Sequence, residues 1–273
     1  LSRVGIFEPA VGEKTAPASC LRVVLMNLWV YPLLALWTLC GLLLVAPLLL
    51  LLWKAVTGWS RARIVRHSIW FYGRGWMLLV APFVRFEVDG FSAPEAGPVL
   101  YVVNHLSFFD TYCMAAQPHS NIAFAVRGWP FRRLFWYTAC VRLARRYLEV
   151  EGAPFDDLLV QAREIVAAGG SLLFFPEGHR SRDGELQRFY SGAFLLALKL
   201  GLPVIPLCLV GTDCLLPPGR WLLRPATICL RALPAVDPAD FTGPEGHRRL
   251  RRQVKETMAR ELARLRQPSG PSQ

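Results

Sequence analysis

His105 and Asp110 stand five positions apart in the stretch Asn104-His105-Leu106-Ser107-Phe108-Phe109-Asp110. Residues five apart do not share a face of a regular helix, so the two side chains meet only if a turn intervenes. If they meet, the carboxylate holds one imidazole nitrogen and leaves the other free as a base near neutral pH. Such a dyad lacks the serine of a catalytic triad, and Ser107 and Phe108 are expected to shape the turn. It therefore suits activation of a hydroxyl that belongs to the substrate. A second stretch, Pro176-Glu177-Gly178-His179-Arg180-Ser181-Arg182-Asp183-Gly184, carries two arginine forks suited to a phosphate or carboxylate. Its two glycines permit close backbone approach or positive φ. A base on one loop and an anion clamp on another point to a phosphorylated substrate whose hydroxyl is deprotonated.

The elements that must position these residues are legible around them. Val99–Val103 and Ser171–Phe175 are short apolar runs that end at the two stretches, and they read as buried strands. Further strands are expected at Phe86–Asp89, Ile122–Val126, Tyr147–Val150, Val204–Val210 and Thr227–Ala232. Helices are expected at Phe108–Ala116, Pro130–Val141, Phe155–Ala168, Phe189–Leu200 and Pro244–Arg266. Gly169-Gly170 supplies a stop signal for the third of these, and Asp156-Asp157 suits its first turn. Asp213 reads as a turn residue after a strand. Alternation of this kind predicts an α/β core, a mainly parallel mixed sheet flanked by helices, with the site at strand ends.

Asn104 to Asp110 and Phe175 to Arg182 resemble the NHxSxxD and FPEGTRS blocks of the glycerolipid acyltransferase family, which includes bacterial 1-acylglycerol-3-phosphate acyltransferases. Two weaker blocks agree in order: Phe124 to Phe131, where Arg127 is the basic residue placed near the acceptor's phosphate, and Val204 to Gly211. The resemblance covers roughly residues 85 to 235. It implies that His105, oriented by Asp110, is the base, and that Arg180, Arg127, Glu177 and Gly178 serve the phosphate, Glu177 either structurally or by hydrogen bonding the acceptor. Asn104, Ser107, His179 and Arg182 are accessory. His179 stands where the family usually has threonine, which leaves the acceptor open. Asn104 ahead of His105 resembles the lysophosphatidate-type block rather than the glycerol-3-phosphate type. No cofactor or metal is implied; acyl-CoA or acyl-acyl carrier protein is the co-substrate.

From Val23 to Trp53 no residue is charged. At about 1.5 Å per residue a helix of that length extends about 46 Å, more than a hydrocarbon layer of about 30 Å requires. Pro32, Gly41 and Pro47 interrupt the run, so either one tilted, kinked helix spans, or two shorter helices enter and return on one face. Lys54, Arg61, Arg63 and Arg66 follow it, whereas only Lys14 and Arg22 closely precede it. A single span would thus leave the rest of the chain in the cytoplasm. Residues 68 to 86, rich in Trp and Phe with Arg74 and Arg85, suit an interfacial helix. The expected organisation is a loosely ordered stretch at 1–20, membrane-embedded and interfacial helices at 21–85, an acyltransferase domain at 86–240, and a basic helix with its tail at 241–273. In that last helix Leu250, Val254, Met258, Leu262 and Leu265 can face a core, or the helix can lie on the membrane.

Bulk properties agree with a membrane setting. Hydrophobic residues make up 53% of 273 and charged residues 19%, less charge than a soluble domain usually carries. The net charge of +11 suits an anionic lipid surface, and no nucleic-acid motif accompanies it. Seven dispersed cysteines form no CxxC pair and read as reduced thiols facing a cytoplasm. No P-loop, GxGxxG, HExxH or GxSxG occurs, so nucleotide hydrolysis, hydride transfer, zinc proteolysis and serine hydrolysis lack their parts. Three functions stay open: acyl transfer from a thioester to a lysophospholipid hydroxyl or another lyso-lipid, hydrolysis of a lipid ester or thioester by the same His-Asp pair, and lipid binding without catalysis.

Overall fold

A computed structural model describes residues 19–41, 43, 55–91, 97–126, 147–149 and 154–267. Its centre is a seven-stranded sheet of β1 (Val84–Asp89), β2 (Leu100–Val103), β3 (Ile122–Val126), β4 (Tyr147–Glu149), β5 (Ser171–Phe174), β6 (Val204–Val210) and β7 (Ala226–Ala232). The strand order is β1-β7-β6-β2-β5-β3-β4, and among the described strands only β6 and β7 pair antiparallel. The α/β class and mainly parallel sheet read from the sequence are the ones observed. β2, β5 and β6 are near-continuous apolar runs because both faces of the sheet are covered. Leu100, Val102, Leu172 and Val204 join one buried cluster, and their neighbours Tyr101, Val103, Leu173 and Ile205 join the other.

Two sets of helices supply those covers. On one face lie α1 (Cys20–Cys40), α2 (Arg61–Val80) and the short α3 (Asp110–Cys113), which bring Met26, Val30, Trp76 and Cys113 to the core. On the other lie α4 (Phe155–Ala167), α5 (Gly192–Leu200) and, beyond the short α6 (Thr212–Leu215), α7 (Gly246–Arg266). Leu250, Val254, Met258, Leu262 and Leu265 of α7 are all buried, so its apolar stripe faces the core and its charges face outward.

α1 runs unbroken through Pro32, which therefore does not end the helix as the sequence pattern suggested. α2 starts at Arg61 and not near residue 68, because Ser60 caps it by accepting from the Arg63 N–H. Its arginines belong to the helix they had seemed only to flank. The two helices pack antiparallel: the Trp29 indole donates to the Leu79 carbonyl, and the Trp37 indole donates to that of Tyr72. Gly75 makes this approach possible, since a Cβ there would lie 2.2 Å from the Trp37 ring. Gly73 does the same toward the domain, where a Cβ would lie 2.6 Å from that of Ala115. The Trp70 indole and Arg74 then donate to the Gln117 and Ala116 carbonyls.

The expected helix over Phe108–Ala116 is shorter, α-helical only from Asp110 and 3-10 from Met114. Residues 106 and 107 donate instead to the Asp110 carboxylate. Likewise α5 begins at Gly192 and not at Phe189, because the Gln187 and Tyr190 N–H groups donate to Glu177 and to the Pro176 carbonyl of the preceding loop. The expected helix over Pro130–Val141 and the loosely ordered stretch at 1–20, apart from Ser19 and Cys20, lie outside the described residues.

Candidate active site

β2 and β5 are adjacent and parallel, in a register that sets Val102 beside Phe174. Continuing both chains three residues past that pair brings His105 opposite Glu177. The chain visits β3, β4 and β5 on one side of β2 and then crosses to β6 and β7 on the other. Outside the carboxyl ends of strands at such a switch point is where open α/β sheets bind ligands.

The turn that the sequence demanded is present. Asp110 donates its N–H to the Ser107 carbonyl at 3.3 Å, folding the carboxylate back over residues 105–107. Asp110 Oδ2 lies 2.7 Å from His105 Nδ1 and accepts from the N–H groups of Leu106 (2.6 Å) and Ser107 (2.9 Å). A carboxylate oxygen that already accepts two N–H groups can only accept from the ring, so Nδ1 carries the hydrogen and Nε2 keeps its lone pair. Asp110 is fully buried, whereas the His105 side chain is 19% exposed. The ring leans on Phe175 at 4.3 Å between centroids. Ser107 is buried with its hydroxyl 3.5 Å from the Leu216 carbonyl, in keeping with a turn residue.

The second loop holds the backbone of His105 at both poles. The His105 N–H donates to Glu177 Oε1 at 2.7 Å, and the His105 carbonyl accepts from the Ser181 N–H at 2.8 Å. Glu177 Oε2 accepts from the Gln187 N–H at 2.8 Å, so this buried carboxylate bridges three chain segments. Both Glu177 oxygens are thus engaged by backbone N–H groups, a contact of the structural kind among the two roles considered for it. Burial raises its carboxyl above the usual range, against the pull of the two backbone N–H groups.

Gly178 turns with φ 70°, and a Cβ there would meet the Tyr190 ring at 3.0 Å. His179, Arg180 and Arg182 are exposed, and Arg180 directly precedes the Ser181 that grips His105. Asn104 does for β6 what Glu177 does for the loop. Its side-chain amide donates to the Leu209 carbonyl and accepts from the Leu209 N–H, each at 2.8 Å, where β2 leaves the ladder. Arg127 lies outside the described residues.

Some residues that order this site carried no sequence signal. Gln187 Nε2 donates to Asp183 Oδ1 at 2.8 Å and to the Glu185 carbonyl at 3.1 Å, closing the clamp loop on itself. Arg266, at the far end of α7, donates to the Gly184 carbonyl and pairs with Glu185 at 3.6 Å. Among the described residues no cluster of three or more His, Cys, Asp or Glu is placed to hold a metal ion.

An oriented imidazole at a strand end, tied to an arginine-bearing loop, is an arrangement able to activate a hydroxyl without a nucleophile of the protein's own. Residues 85–210, from β1 to the end of β6, match the model of the family described as Acyltransferase. That match, with the relatives and the solved structure that follow, bears out the resemblance of the motifs to glycerolipid acyltransferases. The chain is 35% identical over 174 residues to a 1-acyl-sn-glycerol-3-phosphate acyltransferase of Chlamydomonas reinhardtii, covering 59% of this chain and 50% of that one. It is 34% identical to a chloroplastic one of Brassica napus over 51% of this chain and 41% of the relative. The chain thus spans half or less of these relatives' length. The crystal structure of the 1-acyl-sn-glycerophosphate acyltransferase from Thermotoga maritima superposes with a TM-score of 0.72 at 24% identity, covering 93% of this chain and 99% of that one, which shows a shared fold.

Proposed function

We propose that this protein transfers an acyl chain from an acyl thioester to the free hydroxyl of a lysophospholipid, with 1-acylglycerol-3-phosphate as acceptor and phosphatidic acid as product. The observation that carries the reading is the His105–Asp110 pair seated against the arginine-bearing loop. His105 Nε2 takes the hydroxyl proton as the oxygen attacks the thioester carbonyl. The tetrahedral oxyanion collapses, the C–S bond breaks, and the imidazolium returns the proton to the leaving thiolate. No residue is acylated. Arg180 grips the acceptor's phosphate, with Arg182 and Arg127 as further cations, and so fixes the hydroxyl against the imidazole. Such positioning supplies a large share of the rate. Arg180→Ala is expected to raise the acceptor KM about 10–100-fold, the loss of one charge-assisted phosphate contact, with a smaller change in kcat. An unchanged KM across a panel of phosphorylated and unphosphorylated lyso-lipids would remove the clamp.

The membrane supplies the acceptor. Leu21, Leu25, Leu28 and Leu36 of α1 and Phe71 and Leu78 of α2 are at least half exposed, an apolar surface that suits lipid. Near the middle of α1, Asn27 brackets the Leu223 backbone with two 2.8 Å hydrogen bonds, and Tyr31 donates to the Trp221 carbonyl. An upright span would carry that loop, with exposed Arg220 and Arg224, to the bilayer centre, at about 2.5–3.5 kcal/mol per arginine. The antiparallel pair therefore fits helices that enter and return on one face. Its arginine-rich flank and the buried, free Cys113, Cys208 and Cys229 support the cytoplasmic face. In sealed vesicles, a cysteine at Ser19 on a cysteine-free background is expected to react from the side of the catalytic domain. Labelling only after permeabilisation would favour a single span.

A further inference from the structure

Between the first turns of α1 and the loop that joins α6 to β7 lies a groove of about 570 Å³, within the usual range of small-molecule sites. Cys20 and Val23 line one side, and Arg220, Trp221, Leu222 and Arg224 line the other. The loop is built to hold its tip out rigidly. The Arg220 N–H donates to the Pro217 carbonyl at 3.0 Å across a turn with Pro218 second and Gly219 third at φ 72°, the requirements of a type II turn. The Arg224 N–H donates to the Leu215 carbonyl at 2.8 Å and ties the two ends together. Leu215 and Leu223 are fully buried, while Asn27 and Tyr31 fasten the backbone of Leu223 and Trp221 to α1. What stays outside is an apolar pair between two cations: Trp221 is 86% exposed and Leu222 58%, and Arg220 and Arg224 flank them, also exposed. Neither arginine has an acidic partner among the described residues. Water alone gives no reason to present a tryptophan in this way. A ring flanked by arginines suits the headgroup layer of a bilayer.

We infer that this groove is a loading site for the acceptor: Arg220 and Arg224 take the phosphate-monoester headgroup of a lysophospholipid from the bilayer surface before Arg180 grips it for reaction. The inference rests on the acyl-transfer reading proposed above. Three placements favour this occupant. Two guanidinium groups without acidic partners match the two charges of a phosphate monoester and offer it forked donors. Val23, Trp221 and Leu222 set apolar surface beside those charges, as the acyl end of such a lipid needs, and Leu21 on the same turn of α1 is 68% exposed. The groove also adjoins the catalytic turn. Leu216, next to the pinned Leu215, accepts from the Ser107 hydroxyl at 3.5 Å, and Ser107 is two residues from His105. The loop that lines the groove therefore touches the turn that carries the base, and an acceptor can pass from one to the other without leaving the membrane surface.

The test presents two acceptors to wild type and to R220Q/R224Q with one acyl thioester as donor. One is long-chain 1-acylglycerol-3-phosphate in phosphatidylcholine nanodiscs, and the other is its hexanoyl analogue, dissolved as monomers. Both arginines are exposed, so the variant is expected to melt like wild type. Its KM for the bilayer acceptor should rise about 10-fold or more, and its KM for the dissolved one should change far less. Arg180→Ala, by contrast, should raise both. Photocrosslinking needs no turnover. A diazirine-bearing 1-acylglycerol-3-phosphate should label residues 20–23 or 219–224 of wild type, and should do so about 10-fold less in the variant or when choline caps the phosphate. A chain that transfers nothing yet is labelled there would sink the acyl-transfer reading and keep the lipid site. Labelling confined to other segments or indifferent to the two arginines overturns the inference and leaves that reading standing. So does a bilayer KM that stays at the wild-type value or rises only as much as the dissolved one.

Discussion

Replacing His105 with alanine is expected to lower acyl transfer by about 10²–10⁴-fold, the usual worth of a positioned general base, while the chain still folds. The fold survives because His105 is held by its backbone: its N–H to Glu177 and its carbonyl to Ser181 do not involve the ring. Asp110 Oδ2 keeps its two backbone donors, so losing the ring costs one hydrogen bond to a charged group, about 1.5–3 kcal/mol. Circular dichroism and thermal melts separate this outcome from simple unfolding. The KM values should move little, since the imidazole acts on the reacting proton and not on the remote parts of either substrate.

Glu177→Ala is expected to be the more damaging change to the molecule as a whole. It leaves the half-buried His105 and Gln187 N–H groups without their acceptors, at about 1 kcal/mol each. It also uncouples the loop that carries Arg180 from the loop that carries the base. A displacement of about 1 Å between two such groups costs on the order of 10²-fold in rate. Glu177→Gln offers one carbonyl oxygen for two donors and should fall between wild type and alanine in both melting temperature and rate. A variant that melts like wild type would remove Glu177 from the frame.

The same residue gives a pH signature of definite sign. Because burial raises its carboxyl, the folded protein binds this proton at higher pH than the unfolded chain does. Its contribution is greatest below the ordinary carboxylate range, declines as pH rises through the raised value, and then levels off. Glu177→Gln should abolish that segment of the stability curve.

What the sequence disclosed and what it withheld divide along one physical line. The strands were legible because burial on both faces leaves near-continuous apolar runs, and the base and its aspartate because five residues with a turn between them form a local unit. The part of Glu177 was not legible. Its partners are His105, 72 positions away, and Gln187, 10 positions away, and it binds their backbone N–H groups, which every residue type offers. The start of α2 was missed because its arginines read as topology signals until Ser60 was seen to cap them. Pro32 marked a break that the intact α1 does not show. Arg266 at Gly184 joins elements remote in the chain, a contact that no spacing rule finds.

The central claim is that an imidazole held by Asp110 activates the acceptor's own hydroxyl, with no acyl-enzyme between. Its most direct measurement follows consumption of a labelled thioester by the full chain in lipid, with and without lysophospholipid, in wild type and in His105→Ala. Consumption that requires the acceptor, matches diacyl product one for one, leaves no label on the protein and vanishes in His105→Ala is the predicted result. Thioester loss indifferent to the acceptor, or undiminished without the imidazole, would contradict it.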